Sequence, residues 1–163
     1  AGRRGGGGAG ATGAPGGVDV SAHLLARVGD ERFAFALACV LEAVDAPTVH
    51  DMPHRPSGML GTLRHRGQTV PLWDAGSAFG VRRLQAEGTA LVFRDAGRGV
   101  ALLVDDAVDI VQIPEDALRA APAGSDGEGL LSGVVRDEDG LLSVVRVDVL
   151  VTRLVLHGTR RGE

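Results

Sequence analysis

Short apolar runs separated by turn residues recur along the chain from about residue 22. Phe33, Phe35 and Leu37 alternate with smaller residues, which places all three on one face of an extended strand. A Gly-Asp-Glu turn precedes them, and the same shape returns around turns at residues 67–68, 95–99 and 137–140. Paired runs of this kind are typical of β-hairpins. The pattern therefore predicts a mainly β chain with four hairpins.

Helices are predicted to be few and short. We expect helical turns at residues 38–41, 74–79 and 114–119, and a terminal helix or strand at 148–156.

The hairpins also repeat as a set. Displacing the sequence by 67 residues brings Phe33 onto Val100, and displacing it by 72 brings Gly61 onto Gly133. The period is too long for a solenoid, so we interpret it as a duplication of one β unit. Chance similarity between strands rich in Val and Leu is the alternative. Small Greek-key or SH3-like barrels suit units of this size, because closure removes exposed sheet edges.

Composition narrows the class of protein. The first 17 residues hold nine glycines and almost no apolar side chains, which predicts a flexible tail or linker. A net charge of −4 argues against a nucleic-acid binder, and no apolar run is long enough to span a membrane. Cys39 is the single cysteine, which excludes an internal disulfide and any multi-cysteine metal site.

Signatures of catalysis and metal binding are missing. No GxSxG or HExxH motif occurs. His50 and His54 lie in a proline-rich stretch that reads as a loop, so we predict solvated histidines and no metal site. Asp105 and Asp109 follow an apolar strand, and we interpret them as a solvated turn or helix cap, not as an acid–base pair.

Two charged residues suggest a binding surface. Glu42 ends an apolar run, and Arg66 stands at a hairpin turn directly before Gly67. If they lie close together, they form an ion pair beside apolar strand surface, an arrangement that suits a protein-binding groove. From spacing alone, two unrelated surface charges are the simpler interpretation.

Four stretches in order make the chain resemble the CheW-like chemotaxis coupling proteins, over about residues 22–156. They read LLARVGDERFAFALACVLEAV, PSGMLGTLRHRGQTVPLWDAGSAFG, GVALLVDDAVDIVQIP and LLSGVVRDEDGLLSVVRVDVLV. The resemblance implies two small five-stranded barrels of SH3-like or Greek-key type, packed on a common hydrophobic core with few short helices. We expect a Gly-rich tail at 1–19, the CheW-like domain at 20–157 with subdomains at about 22–87 and 88–150, and a second tail at 158–163.

The resemblance also implies a function without catalysis and without a cofactor. Such domains are cytoplasmic adaptors that bind the regulatory domain of a CheA-type histidine kinase and the cytoplasmic tip of a methyl-accepting chemoreceptor. No nucleic acid and no direct membrane insertion are implied. The residues that match the family's contact positions are Val40, Glu42, Gly61, Arg66, Gly67 and Gly133.

The chain departs from the family pattern at three positions. Ala43 and Ala75 stand where larger apolar residues are usual, and His65 replaces an apolar residue just before Arg66. Each change loses apolar area worth on the order of 1 kcal/mol if the site is buried.

Two other functions stay open. The chain could be the CheW-like regulatory domain of a CheA-type kinase, with the Gly-rich segment as an interdomain linker. An SH3-like nucleic-acid barrel is a third interpretation, which the charge and the scarcity of aromatic residues oppose.

Overall fold

The structure is a computed structural model that describes residues 19–95, 98–122 and 129–161. The described residues form ten strands: β1 Val20–Val28, β2 Glu31–Ala36, β3 Val40–Asp45, β4 Met59–His65, β5 Gln68–Asp74, β6 Thr89–Asp95, β7 Arg98–Val104, β8 Asp106–Pro114, β9 Leu131–Asp137 and β10 Gly140–Val145. They also form helices α1 Ala75–Phe79 and α2 Val147–Arg161, and short 3-10 turns at Leu37–Cys39 and Glu115–Ala117. The predicted N-terminal tail lies almost wholly outside the described residues.

The strands form two five-stranded sheets. The first sheet has the order β8-β1-β2-β10-β9, and the second has the order β3-β6-β7-β5-β4. Neighbouring strands are antiparallel except for one parallel pair in each sheet, β2 with β10 and β5 with β7. The prediction of a mainly β fold with four hairpins and few helices is confirmed.

The two sheets have the same plan, and each draws strands from both halves of the chain. If each strand is matched with the strand five positions along the chain, β1 with β6 and so on to β5 with β10, the order of the first sheet becomes the order of the second. This correspondence fits the predicted duplication. The first sheet nevertheless combines β1 and β2 with β8, β9 and β10, and the second combines β6 and β7 with β3, β4 and β5. The expected boundary between residues 87 and 88 therefore does not separate the two sheets.

Connection length explains this exchange. β8 runs parallel to β2 and antiparallel to β1, which lies between them. A return to a parallel position within one sheet requires a connection of a dozen or more residues. Asp105 alone joins β7 to β8, and residues 37–39 alone join β2 to β3. Both connections are too short for that return, so β3 and β8 must each join the opposite sheet.

The expectation of closed barrels is not met. The edge strands β8 and β9 of the first sheet do not pair along their length, and neither do β3 and β4 of the second. The segments that follow β3 and β8 supply only single bridges, from His50 to Thr62 and from Arg119 to Val134. We call the gap between β3 and β4 the seam of the second sheet.

Alternating residues divide the apolar side chains between a common core and two smaller clusters. On β2, Phe33 and Phe35 face the common core between the sheets, whereas Ala34 faces the interior of the first sheet. β7 shows the same alternation, with Leu102 in the common core and Leu103 inside the second sheet. Helix α2 covers the common core with buried side chains from its apolar face.

The predicted short helices are present in modified form. Asp74 caps α1 by accepting hydrogen bonds from the backbone N–H groups of Gly76 and Ser77. The terminal segment, which the sequence left as helix or strand, is helix α2. This helix continues to Arg161, so the predicted C-terminal tail at 158–163 begins inside it.

Candidate functional site

The β4–β5 hairpin ends in a tight turn that displays Arg66. His65 pairs with Gln68, which leaves Arg66 and Gly67 as a two-residue loop. Their φ angles of 51° and 79° are both positive, as a type I′ turn requires. The guanidinium of Arg64 donates to the Gly67 carbonyl over 3.0 Å, which fastens the turn from one side.

Glu42 contacts His65 and not Arg66. The Oε1 atom of Glu42 lies 2.8 Å from Nε2 of His65, whose side chain is 10% exposed. That Nε2 atom is shielded from solvent, and its contact with the carboxylate lies outside hydrogen-bond geometry. Arg66 is exposed and forms no ion pair with any residue that the structure describes. The conditional ion pair between Glu42 and Arg66 is therefore not formed, in agreement with the simpler interpretation of two separate surface charges.

The Glu42–His65 contact spans the seam. Glu42 belongs to β3 and His65 to β4, which are the two edges of the second sheet. The exposed edge of β3 and the hairpin tip thus form one surface, which we call the seam surface and define by Glu42, His65, Arg66 and Gly67. Val40 begins β3 beside it and is half-buried against the common core.

The three predicted glycines differ in their surroundings. Gly67 is exposed, and a Cβ atom added there would meet nothing within 4 Å. Gly61 and Gly133 are buried at equivalent bulges, where an added Cβ would lie 2.4 Å from the His50 carbonyl oxygen and 2.6 Å from that of Arg119. Because these two glycines lack a Cβ atom, the segments that bridge the sheet edges can pass close to them. Gly133 belongs to the first sheet, apart from the seam surface.

A model of the CheW-like domain family matches residues 22–155. The chain belongs to the CheW-like domain family. The chain is 29% identical over 126 residues to the chemotaxis protein CheW of Rhizobium meliloti (strain 1021), covering 75% of this chain and 81% of that protein. It is 24% identical over 129 residues to CheW of Helicobacter pylori (strain ATCC 700392 / 26695), covering 77% and 78%.

A solved structure shares the fold. The scaffolding protein TtCheW from Thermoanaerobacter tengcongensis superimposes with a TM-score of 0.72 at 18% identity, covering 81% of this chain and 88% of that one. The resemblance predicted from the four sequence stretches is confirmed. The chain is thus a CheW-like domain related to chemotaxis proteins named CheW.

Sequence reasoning missed the partner of Glu42 and the residue that supports the turn. His65 stood out only as a departure from the family pattern, because its contact crosses the seam between two edge strands that do not pair with each other. Arg64 gave a readable signal: it lies two residues before the loop, within reach of the loop carbonyls.

Asp105 is not the solvated carboxylate that the sequence suggested. It is 7% exposed and accepts hydrogen bonds from the backbone N–H groups of Gly29, Leu84 and Gln85. Burial by itself raises the pKa of Asp105, but these N–H groups and the nearby Arg83 outweigh it and hold that pKa below its usual range. The carboxylate is an acceptor for loop backbone and ties the β1–β2 turn to the segment after α1.

The histidines and carboxylates considered as metal ligands do not come together in the described part of the chain. Within residues 19–95, 98–122 and 129–161, no group of three side chains is placed to hold a metal ion. None of the helices in the described ranges is long and apolar enough to cross a membrane.

A concave surface lies away from the seam. This cavity, of about 1050 Å³, is lined by apolar side chains that include Leu84, Val108 and Leu141 and by charged ones that include Asp30 and Arg32. Leu84, Val108 and Leu141 are each more than 40% exposed, which is a large apolar exposure for a folded domain.

Proposed function

We propose that this CheW-like domain is an adaptor that couples the cytoplasmic tips of chemoreceptors to the regulatory domain of a CheA-type histidine kinase. Membership in the CheW-like family supports the proposal, and the seam surface is the observation that carries it. An adaptor must present contact residues on a scaffold that does not yield when a partner binds. The type I′ turn, held by Arg64 and by strand pairing on both sides, meets that need.

The proposed partner-binding residues divide by what they can contribute. Glu42, Arg66 and Gly67 are exposed and can touch a partner directly. Val40 and Gly61 support the surface indirectly. Val40 packs against the common core, and Gly61 leaves room for the bridging segment. Gly133 has the corresponding role in the first sheet. No cofactor takes part, and the adaptor works in the cytoplasm at receptor arrays.

An adaptor needs two partner surfaces, and the domain offers two. The seam surface lies on the second sheet, whereas residues of the first sheet, including Val108 and Leu141, line the wide cavity. Separate surfaces allow one chain to hold two proteins at the same time.

The test is a calorimetric titration against the kinase regulatory domain and a receptor signalling fragment from the same organism. Arg66→Ala should weaken binding of one partner by about 2 kcal/mol or more, roughly a thirtyfold rise in Kd, because truncating an interface arginine removes both charge and contact area. Its melting temperature should stay within a few degrees of wild type, because losing an exposed, unpaired arginine costs the fold little.

Arg136→Ala is the matched control, since Arg136 is an exposed arginine on β9 in the first sheet. It should bind both partners like wild type. Wild-type protein that binds neither partner with a Kd below about 1 mM would refute the adaptor function.

A further inference from the structure

The contact between His65 and Glu42 joins two strands that the backbone leaves apart. Glu42 lies on β3 and His65 on β4, which are the edges of the second sheet and do not pair with each other. The 2.8 Å contact between Nε2 of His65 and Oε1 of Glu42 is thus a side-chain link across the seam. Its strength decides whether the Glu42 carboxylate stays against β4 or is free to turn outward.

The charge on His65 decides whether this contact is attractive. In a neutral imidazole with its proton on Nδ1, the Nε2 lone pair would face the carboxylate oxygen, and two acceptors 2.8 Å apart repel each other. With the proton on Nε2, the N–H would be poorly aligned, because the contact lies outside hydrogen-bond geometry. An imidazolium attracts the carboxylate without needing such alignment. The contact is therefore strongest when His65 is protonated.

Burial of one partner strengthens that attraction, and exposure of the other makes it reversible. The His65 side chain is 10% exposed and its Nε2 atom is shielded from solvent, so water screens the charge less than at an open surface. The Glu42 side chain is 48% exposed, so its carboxylate has room to leave the imidazole for a group on a partner.

Near neutral pH, His65 is the residue of the seam surface whose charge changes. Histidine side chains titrate between about pH 5 and 8, whereas arginine stays protonated and glutamate stays ionised over that range. The charged neighbours of His65 on its own hairpin are Arg64 and Arg66, and Arg64 is turned to a carbonyl of the loop. The residues paired with His65 and Glu42 in the sheet are uncharged, namely Gln68 on β5 and Val92 on β6. A change in pH around neutrality therefore acts on this contact through His65.

His50 is a second histidine close to the seam. It lies on the segment after β3 and bridges to Thr62 of β4, three residues before His65. Its side chain is exposed, and the bridge is made by its backbone. A substitution of the His50 side chain therefore removes a nearby titrating group without touching the contact with Glu42.

We propose that His65 is a proton-dependent latch on Glu42. When charged, it holds the carboxylate against β4 and withholds it from a protein partner, and when neutral it releases the carboxylate. The inference rests on the proposed adaptor function, in which Glu42 touches a partner directly, and it adds a regulation of that surface by pH. By linkage, a partner that prefers neutral His65 releases protons when it binds.

The experiment titrates the cognate kinase regulatory domain and the receptor fragment into the protein by calorimetry at about pH 6, 7 and 8. For the partner bound at the seam, Kd should rise about fivefold or more from pH 8 to pH 6, since one linked proton allows a change of up to about tenfold per pH unit. At about pH 6.5, the apparent binding enthalpy should differ between buffers of different ionisation enthalpy by the amount that proton release requires.

Matched substitutions assign the effect to His65. His65→Gln and His65→Leu should both lose the pH dependence of Kd, whereas the control His50→Gln should keep it. Glu42→Gln should weaken binding at pH 8, because Glu42 is a contact, and should also lose the pH dependence. Thermal melts verify folding, and the two substitutions at residue 65 keep the test valid if one of them does not fold.

The latch is also visible without a partner. Backbone amide signals of Glu42 and Ala43 should shift between about pH 8 and pH 6 in the wild-type protein and in His50→Gln, but not in His65→Gln. Shifts that persist in His65→Gln would overturn the latch.

These outcomes separate the latch from the adaptor function. If wild-type protein binds neither partner, the adaptor function fails and the regulation of binding fails with it, whatever the amide signals show. If it binds with a Kd that stays constant or falls as pH decreases, or if His65→Gln keeps the wild-type pH dependence, the adaptor function stands and the latch is wrong.

Discussion

Individual residues in this fold carry constraints that their type alone does not reveal. Gly61 and Gly67 are six positions apart on one hairpin and both have positive φ, yet only Gly61 has backbone against the space where a Cβ would lie. The constraint on Gly61 is both steric and conformational, whereas the constraint on Gly67 is conformational alone.

Alanine substitutions should separate the two constraints. We expect Gly67→Ala to cost about 1–2 kcal/mol of unfolding free energy, from the left-handed backbone conformation alone. Gly61→Ala should cost at least about 2 kcal/mol more, because its Cβ would lie 2.4 Å from the His50 carbonyl oxygen and would push the bridging segment away. Urea denaturation measures both, and equal costs would show that the segment yields freely.

Asp105 provides a prediction about pH. Its pKa is lowered in the folded state, so its contribution to stability is present above the unfolded pKa of about 3.9 and is lost as pH falls through the folded value. We expect unfolding free energy to decrease below about pH 4. Asp137, whose pKa is lowered chiefly by the hydrogen bond from Arg32, adds to the same decrease.

The variant Asp105→Asn isolates the first contribution. Its amide N–H₂ would face backbone N–H donors, so stability at neutral pH should fall by about 1–3 kcal/mol. The acid-induced decrease should also become shallower, which denaturation from pH 2 to 7 would measure. An unchanged pH slope would show that Asp105 does not contribute.

At the scale of elements, alternation predicted the paired strands of the hairpins correctly. All four predicted hairpins are present, since each pairs residues that are close in sequence. β3 and β8 escaped prediction as strands, because Val40 to Val44 and their equivalents lack clean alternation and pair with strands from the other half. The Glu42–His65 contact escaped because it joins two edge strands that do not pair with each other. Local patterns encode a hairpin, but they do not encode which edges meet.

Helix α2 should contribute to stability through one face only. Leu150 is 1% exposed in the common core, whereas Thr152 on the same helix is exposed. Leu150→Ala should lower unfolding free energy by about 2–5 kcal/mol through lost burial and a cavity. Thr152→Ala is the control and should change it by no more than about 0.5 kcal/mol. Similar melting temperatures for the two variants would mean that α2 is not docked in solution.

At the scale of the whole molecule, the exchange of strands makes the two sheets interdependent. The common core takes Phe33 and Phe35 from one half of the chain and Leu91, Phe93 and Leu102 from the other. Each sheet in addition loses either two or three of its five strands if the halves are separated. The sequence repeat is therefore not a boundary of folding.

This predicts the behaviour of the chain cut at the repeat boundary. Residues 1–87 and 88–163, produced separately, should each lack a stable fold. A half could fold alone only if β3 returned beside β1, or β8 beside β6, parallel to the strand just before it in the chain. Residues 37–39 span at most about 11 Å, and the single residue 105 spans about 4 Å. Strand β2, with six residues, is itself about 20 Å long, so neither connection can make that return.

Mixing the two halves should restore the native fold, because all ten strands are then available and neither sheet needs the peptide bond between residues 87 and 88. Circular dichroism and amide proton dispersion should report disorder for each half and a folded spectrum for the equimolar mixture. A half that shows a cooperative melt by itself as a monomer would mean that its strands pair within one unit, and the interleaved topology would then be dispensable for folding.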